Sequence, residues 1–438
     1  MQPAFVIYSQ KSSKRLLYIL EYFFKNLLLC EYIHTTDREI YEKAEGIKLN
    51  YSLKRILEDE LHVVNIGLLF QIGIKEQNIQ VEKNSEGLPY FYSTNEKSDI
   101  PFDIFAASFY LLSRYEEYLP YSPDSYGRFP AKASLAYQNG FLSRPLIEEY
   151  ALLLKKIFTK IHPEINWPKK PYQFVPTYDI DAAYSMRSKG LVRTIGGFLS
   201  SLMRRDFKEF VRRINVILAR EKDPFDNFDY MIALQKRYAT NTKCFFLVGD
   251  YGEYDKNISL QVNDFKYLIK SINDYMHVGL HPSYASGSDY EILKMEKIRL
   301  EEVLNTNIVA SRQHFLKLNV PRTYQRLIEL EFEEDYTMGY ASEIGFRAST
   351  STPFYFYDLD YEVQTKLKVV PFAVMDVTLN LYSNFLPDEA IAKTRLLVES
   401  VRDVGGQFSL IWHNQNLSNE KEWKGWKRVF EEIIKSAV

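Results

Sequence analysis

Val175-Pro176-Thr177-Tyr178-Asp179-Ile180-Asp181 is the stretch from which the fold is read. A mostly apolar run beginning at Phe174 ends abruptly on two carboxylates separated by one isoleucine. In a strand, residues i and i+2 share a face, so Asp179 and Asp181 can look into one pocket. A buried, unpaired carboxylate is too costly to be kept for packing, so a strand that stops on acidic side chains points to a site. An Asp-rich turn capping the next helix is the competing reading, and partners elsewhere in the chain decide between the two.

The segments downstream supply those partners. Strand patterns run over Tyr172 to Tyr178, Cys244 to Val248, Val278 to His281, Ile308 to His314, Tyr336 to Gly339, Lys368 to Leu379 and Phe408 to His413. Helical patterns lie between them: Phe228 to Tyr238, Gln261 to Tyr275, Tyr290 to Leu304, Pro321 to Leu330, Pro387 to Val404 and Trp423 to Ile434. Alternation of this kind predicts an α/β fold, a closed or partly closed β/α barrel with its chemistry at the C-terminal strand ends. Trp167-Pro168-Lys169-Lys170-Pro171 interrupts regular structure, so the chain is cut near residue 170. Residues 1–170 then form a smaller α/β domain, with a strand over 3–8, a helix over Ser12 to Leu29, a helix from Ile104 to Tyr118 and another after Pro145. Residues 171–438 carry the barrel.

Composition sets bounds. The chain has 438 residues, 46% hydrophobic and 26% charged, enough to bury a sizeable core. A net charge of −2 gives no reason to expect a nucleic-acid partner. Cys30 and Cys244 sit far apart inside apolar runs and read as buried thiols. The N-terminus lacks a basic region followed by a long apolar segment, and Glu21 and Lys25 interrupt the apolar stretch 16–29, so a cytoplasmic protein is expected. One segment departs from the average: residues 187–222 hold ten Arg and Lys against Asp206, Glu209 and Glu221. It reads first as a solvated basic helix packed on the barrel, and second as a contact for a membrane surface or a lipid-linked, anionic substrate.

Of seven histidines, three end predicted strands: His281, His314 and His413. With Asp179, Asp181 and Arg312 they compose a set suited to metal-assisted hydrolysis. A zinc ion takes one carboxylate oxygen and two imidazole nitrogens and leaves a position for water. A second carboxylate can accept the proton of that water, a further histidine can protonate the leaving group, and Arg312 can orient the base.

Residues 172–436 resemble the NodB-homology polysaccharide deacetylases, carbohydrate esterases with a distorted (β/α)7 barrel. Thr177-Tyr178-Asp179-Ile180-Asp181 is similar to that family's T-F-D-D motif, His281-Pro282-Ser283-Tyr284 to its H-[ST]-x-x-H motif, and Leu410-Ile411-Trp412-His413 to its L-x-x-H motif. The resemblance implies Asp179 as base, Asp181 and His281 as ligands of a divalent metal, most simply Zn2+, Arg312 as the orienting residue and His413 as acid. It also implies removal of an acetyl group from an N-acetylated sugar of a surface polysaccharide, a hydrolysis of a C–N bond other than a peptide. Residues 1–170 resemble the accessory domain that precedes such deacetylases, chiefly over Phe102-Asp103-Ile104-Phe105 through Gly127-Arg128-Phe129-Pro130. The chain departs from the motifs twice. Ile180 separates the aspartates, which leaves their order open, and Ala285 stands where the second motif histidine belongs. His314, by its placement, is the expected third ligand. Trp412, Tyr284, Asp335 and Arg347 are expected to line the substrate site, and Asp376 to hold Arg312 or His413. The rival readings are a carbohydrate-binding relative that has lost its metal, and a glycoside hydrolase using Asp179 and Asp181.

Overall fold

The computed structural model describes residues 4–94 and 97–438, so Pro3 of the first expected strand lies outside the described residues. It is a mixed α/β structure built on two main sheets. The first contains β1 (Ala4–Ser9), β2 (Glu31–Thr35), β3 (Ile47–Tyr51) and β4 (Leu61–Val63), all parallel in the order β2-β1-β3-β4. Ser13 caps the helix Lys14–Glu21 by accepting from the Leu16 amide, and the helix continues as a π-helical turn over Tyr22–Leu27. A small antiparallel ribbon of β5 (Glu82–Lys83) and β6 (Pro89–Tyr90) follows. The helix Ile104–Leu112, capped by Asp103, is buried along its whole length, which fits its continuous apolar sequence.

The second sheet holds β7 (Gln173–Ile180), β8 (Lys243–Phe246), β9 (His277–Leu280), β10 (Ala310–Ser311), β11 (Glu334–Asp335), β12 (Phe354–Asp358), β13 (Val363–Val369), β14 (Val374–Met375) and β15 (Gln407–His413). Its order is β12-β13-β11-β10-β9-β8-β7-β15-β14, parallel throughout except for the β12/β13 pair. β13 pairs with β11 on one flank, whereas β14, a few residues later, pairs with β15 on the other. This single stretch thus links the two flanks, and Phe372 N donating to Met338 O and Ala373 N to Ser409 O continue the link. β7, buried from Val175 to Ile180, lies between β8 and β15 with both faces covered, as its apolar sequence requires.

Several elements differ from the sequence pattern. The strand expected over Ile308 to His314 is in the ladder only at Ala310–Ser311, and the chain turns just beyond it, where Phe315 and Leu316 take positive φ. The pattern Lys368 to Leu379 is split at 370–373 and ends in a π-helical turn, Thr378–Tyr382. The β12/β13 hairpin was not expected. Residues 187–222, expected as a solvated basic helix, form two helices, Gly190–Met203 and Phe207–Ile217.

One hydrophobic cluster runs through both sheets. Across it, Glu117 sits buried between Arg114 (Nε to Oε1, 2.8 Å) and Arg347 (Nε to Oε1, 2.9 Å). Glu148 accepts from the Ser351 and Thr352 amides at 2.9 and 2.8 Å. Arg15 Nε donates to Glu362 at 2.9 Å. Glu117 and Glu362 are met by arginines, the condition for keeping a charge inside, whereas Glu148 is held by amide and hydroxyl donors on one oxygen. They tie residues before 170 to residues beyond it.

Candidate metal centre and acid-base site

The site is assembled from the C-terminal ends of β7, β9, β10 and β15. Register puts His413 beside Asp179, since β15 pairs with β7 along its length. Arg312, just past β10, is fully buried and reaches across to β7. Its Nη1 donates to Thr177 Oγ1 at 2.6 Å and to Asp179 Oδ1 at 2.9 Å, while its Nε donates to Tyr336 O at 3.0 Å. Phe245 lies against the guanidinium at 4.6 Å. Asp179 is therefore held by a desolvated, charge-assisted hydrogen bond.

Asp181 stands one step beyond β7 and faces three imidazoles. Its Oδ1 lies 3.3 Å from His281 Nε2 and 3.7 Å from His314 Nε2, and its Oδ2 lies 3.7 Å from His413 Nε2. Each histidine is fixed from behind. His281 Nδ1 is 2.6 Å from Arg312 O, His314 Nδ1 is 2.8 Å from Asp255 Oδ1, and His413 Nδ1 is 2.8 Å from Asp376 Oδ1. Because an oxygen acceptor claims the proton on each Nδ1, each Nε2 can present its lone pair to the centre. Asp376 also accepts from the His413 amide and from Asn416 Nδ2, both at 2.8 Å, so its carboxylate is fixed in turn.

Electrostatics agree with a cation-seeking cluster. Burial alone would raise the Asp181 carboxyl, but His413 and His314 outweigh it and hold it well below the usual carboxylate range. Burial opposes charge on His314, yet Asp181 and Asp255 push it up to about 9. The same contest at His413, won by Asp376 and Asp181, pushes it up to about 10. A field that retains protons on imidazoles is one that a divalent cation can exploit by displacing them.

The donors Asp181, His281 and His314 offer ligand atoms within 4.8 Å of one another, a spread that a single ion with ligands at ~2.0–2.2 Å can draw together. Asp181 Oδ1 is buried without a hydrogen-bond partner, which a bound cation would supply. One carboxylate and two imidazoles are a donor set suited to zinc. Ala285, at the position of the missing motif histidine, is exposed.

A cavity of about 140 Å³ opens here, lined by Asp179, Asp181, His281, His314 and His413 with Phe315, Leu316 and Tyr382 on its apolar side. A larger cleft, about 890 Å³, lies beside the helix Gly190–Met203, away from these groups. The smaller cavity is the one on which Asp179, Asp181 and the three histidines converge.

The structure does not bring four of the expected substrate residues into this cavity. Trp412 is fully buried on the opposite face of β15, with its ring 4.7 Å from Phe430, because strand alternation turns it away when His413 faces in. Asp335 is buried and accepts from Ser311 Oγ and Thr337 Oγ1 at 2.9 and 2.8 Å, which staples β10 to the chain after β11. Arg347 is committed to Glu117. Tyr284 stands behind Phe315, packed on Tyr254 with ring centroids 4.3 Å apart. Of the two partners considered for Asp376, it takes His413.

Two residues of the site were missed. Asp255 lies in a loop without periodicity, and nothing local marks it. Arg128, from the N-terminal part, lines the cavity; its Nε donates to Asp124 Oδ2 at 2.7 Å and its Nη1 to Phe315 O at 2.8 Å. It closes the recognisable segment of residues 1–170, Phe102 through Pro130, but nothing in the sequence links that segment to Asp179 and the histidines.

Comparison with known proteins gives the following. Residues 5–163 match a family model described as a family of unknown function, DUF7033. No curated protein matches the chain. Among solved structures, the chain is similar to a Mycobacterium smegmatis protein assigned as a polysaccharide deacetylase, with 16% identity and a TM-score of 0.40 over 62% of this chain and 86% of that one. It is also similar to a CE4 family pseudoenzyme from Bacillus anthracis, with 10% identity and a TM-score of 0.27 over 63% and 62% of the two chains.

Proposed function

We propose that the chain is a metal-dependent hydrolase that removes an acetyl group from an N-acetylated sugar. The observation that carries this reading is the convergence of His281, His314 and His413 on Asp181, each imidazole braced at Nδ1, beside a carboxylate held by a buried arginine. We read residues 171–438 as a distorted (β/α)7 barrel, supported by the β13–β14 stretch that bonds to both flanks of the sheet. We read residues 1–170 as an accessory part, supported by the family match that ends at 163.

In this reading Asp181, His281 and His314 hold the divalent ion, Zn2+ by donor type. When bound, the ion supplies Lewis acidity that polarises the acetyl carbonyl and acidifies water. Asp179, oriented by Arg312, takes a proton from the attacking water as its oxygen adds to the acetyl carbon. The C–N bond then breaks, and His413, charged through its contact with Asp376, gives its Nε2 proton to the departing amine. The products are acetate and a free amino sugar. The inserted Ile180 left the order of the two aspartates open. What favours Asp179 as base is its pairing with Arg312, while Asp181 is the carboxylate facing the imidazoles.

Acetate release from short N-acetylglucosamine oligomers by the zinc-loaded chain tests the proposal. Asp179→Asn and His281→Ala should each abolish release while the circular dichroism spectrum is kept. Retained release by either variant overturns the assignment. Folded protein that takes up no divalent metal at all would instead favour a carbohydrate-binding relative.

A further inference from the structure

The two helices after β7, Gly190–Met203 and Phe207–Ile217, pack on each other through Phe198 and Phe210, whose ring centroids are 5.1 Å apart. Each turns an apolar stripe outward. On the first, Leu191, Ile195, Leu199 and Leu202 follow helical spacing; on the second, Phe207, Val211, Ile214 and Leu218 do the same, and all eight are exposed. Val192 and Met203 are 86% and 83% exposed, and Phe207 is 66% exposed. A helix on the surface of a globular protein ordinarily turns this face inward. Here polar side chains fix the hairpin to the body instead. Arg193 Nη1 donates to Asn257 O at 2.9 Å, and Arg212 Nη1 donates to Glu420 Oε2 at 2.8 Å.

The charge around this face is one-sided. Ten Arg and Lys against three acidic residues occupy 187–222, in a chain whose net charge is −2. Arg204, Arg205 and Lys208 cluster at the turn between the helices, exposed beside Met203 and Phe207, and have no ion-pair partner among the described residues. The cleft of about 890 Å³ beside the first helix adds Lys189, Lys266 and Lys270, while Arg299 in its wall is paired with Asp250. An apolar stripe bordered by unpaired cations is complementary to a surface that is apolar below and anionic above. A second copy is a poor occupant, since an isologous contact would set these cations against their own equivalents.

We propose that the hairpin 190–218 docks in the plane of an anionic lipid surface, with Leu199, Met203 and Phe207 entering the acyl boundary and Arg204, Arg205 and Lys208 meeting lipid phosphates. The hairpin leaves β7 at the same end as Asp179 and Asp181, and Arg193 grips the loop that carries Asp255. Docking would therefore hold the cavity mouth near the bilayer. The proposal does not rest on the deacetylase reading.

Co-sedimentation of the full chain with phosphatidylcholine vesicles, with and without phosphatidylglycerol, tests it. Binding should be stronger to the anionic vesicles by at least about tenfold and should weaken as salt rises. The triple variant Arg204→Glu/Arg205→Glu/Lys208→Glu should lose that preference. Leu199→Glu/Phe207→Glu should lose binding to both vesicle types, with the circular dichroism spectrum kept. Absence of binding to anionic vesicles overturns the proposal, as does a dimer in light scattering that Phe207→Glu converts to monomer. Acetate release from a soluble oligomer should be the same in all these variants, so the outcome here is separate from that of the site.

Discussion

His413 Nδ1 lies 2.8 Å from Asp376 Oδ1, and the second oxygen of the same carboxylate accepts from the His413 amide. One carboxylate thus fixes both the backbone and the ring of the residue assigned as acid. Asp376→Asn keeps the shape but removes the charge that holds the imidazolium. It should lower kcat by about 10- to 100-fold, the range seen when a partner that orients such a group is lost, with bound metal unchanged. Acetate release measured beside metal content checks both halves.

Asp255 occupies the corresponding position behind His314. Asp255→Asn should weaken metal affinity by about 10- to 100-fold, and His314→Ala should weaken it further. Competition against a chromogenic chelator reads both. Unaltered affinity in His314→Ala would remove it from the ligand set.

Arg312 and Asp179 are a buried pair, so removing one strands the other. Arg312→Met should lower unfolding stability by about 3–5 kcal/mol, because an uncompensated carboxylate remains inside. Adding Asp179→Asn should recover part of that loss. Urea denaturation of the two single variants and the double variant gives the coupling.

Glu296 accepts from the Ser283 amide at 2.9 Å, and burial pushes its carboxyl up to about 7 from an ordinary 4.5. With the folded value raised, its contribution is fully present below about pH 4.5 and is lost as pH rises through about 7. Glu296→Gln should remove this dependence. The stability of the parent relative to the variant should fall by up to ~3 kcal/mol between those limits, measured by urea denaturation across pH.

Arg128 brings the N-terminal part into the wall of the cavity. Arg128→Ala should raise KM for an oligomer several-fold, with metal affinity unchanged, as expected for a group that contacts substrate rather than ion. Steady-state kinetics on the metal-loaded variant decides this.

The sequence by itself determined the alternation of strands and helices after residue 170 and the strand ends on which Asp179, His281 and His413 sit. These features are local: a two-residue period, helical spacing and a polar residue closing an apolar run are written in consecutive positions. The helices Phe228–Tyr238 and Tyr290–Leu304 keep the bounds their patterns predict. Tertiary structure decided what meets what. His314 reaches the cluster because, past a two-residue strand, its amide donates to Pro282 O at 3.0 Å and its ring is held by Asp255. Asp255 and Arg128 arrive from loops far away in sequence, and Trp412 is lost to the far face by the same alternation that delivers His413. Placement of the proposed metal ligands depends on strand order and on the bend of the chain after β10, quantities that no local pattern encodes. Asp179 and Asp181, adjacent but for Ile180 in sequence, share one cavity but take different partners there, Asp179 the buried Arg312 and Asp181 the three imidazoles.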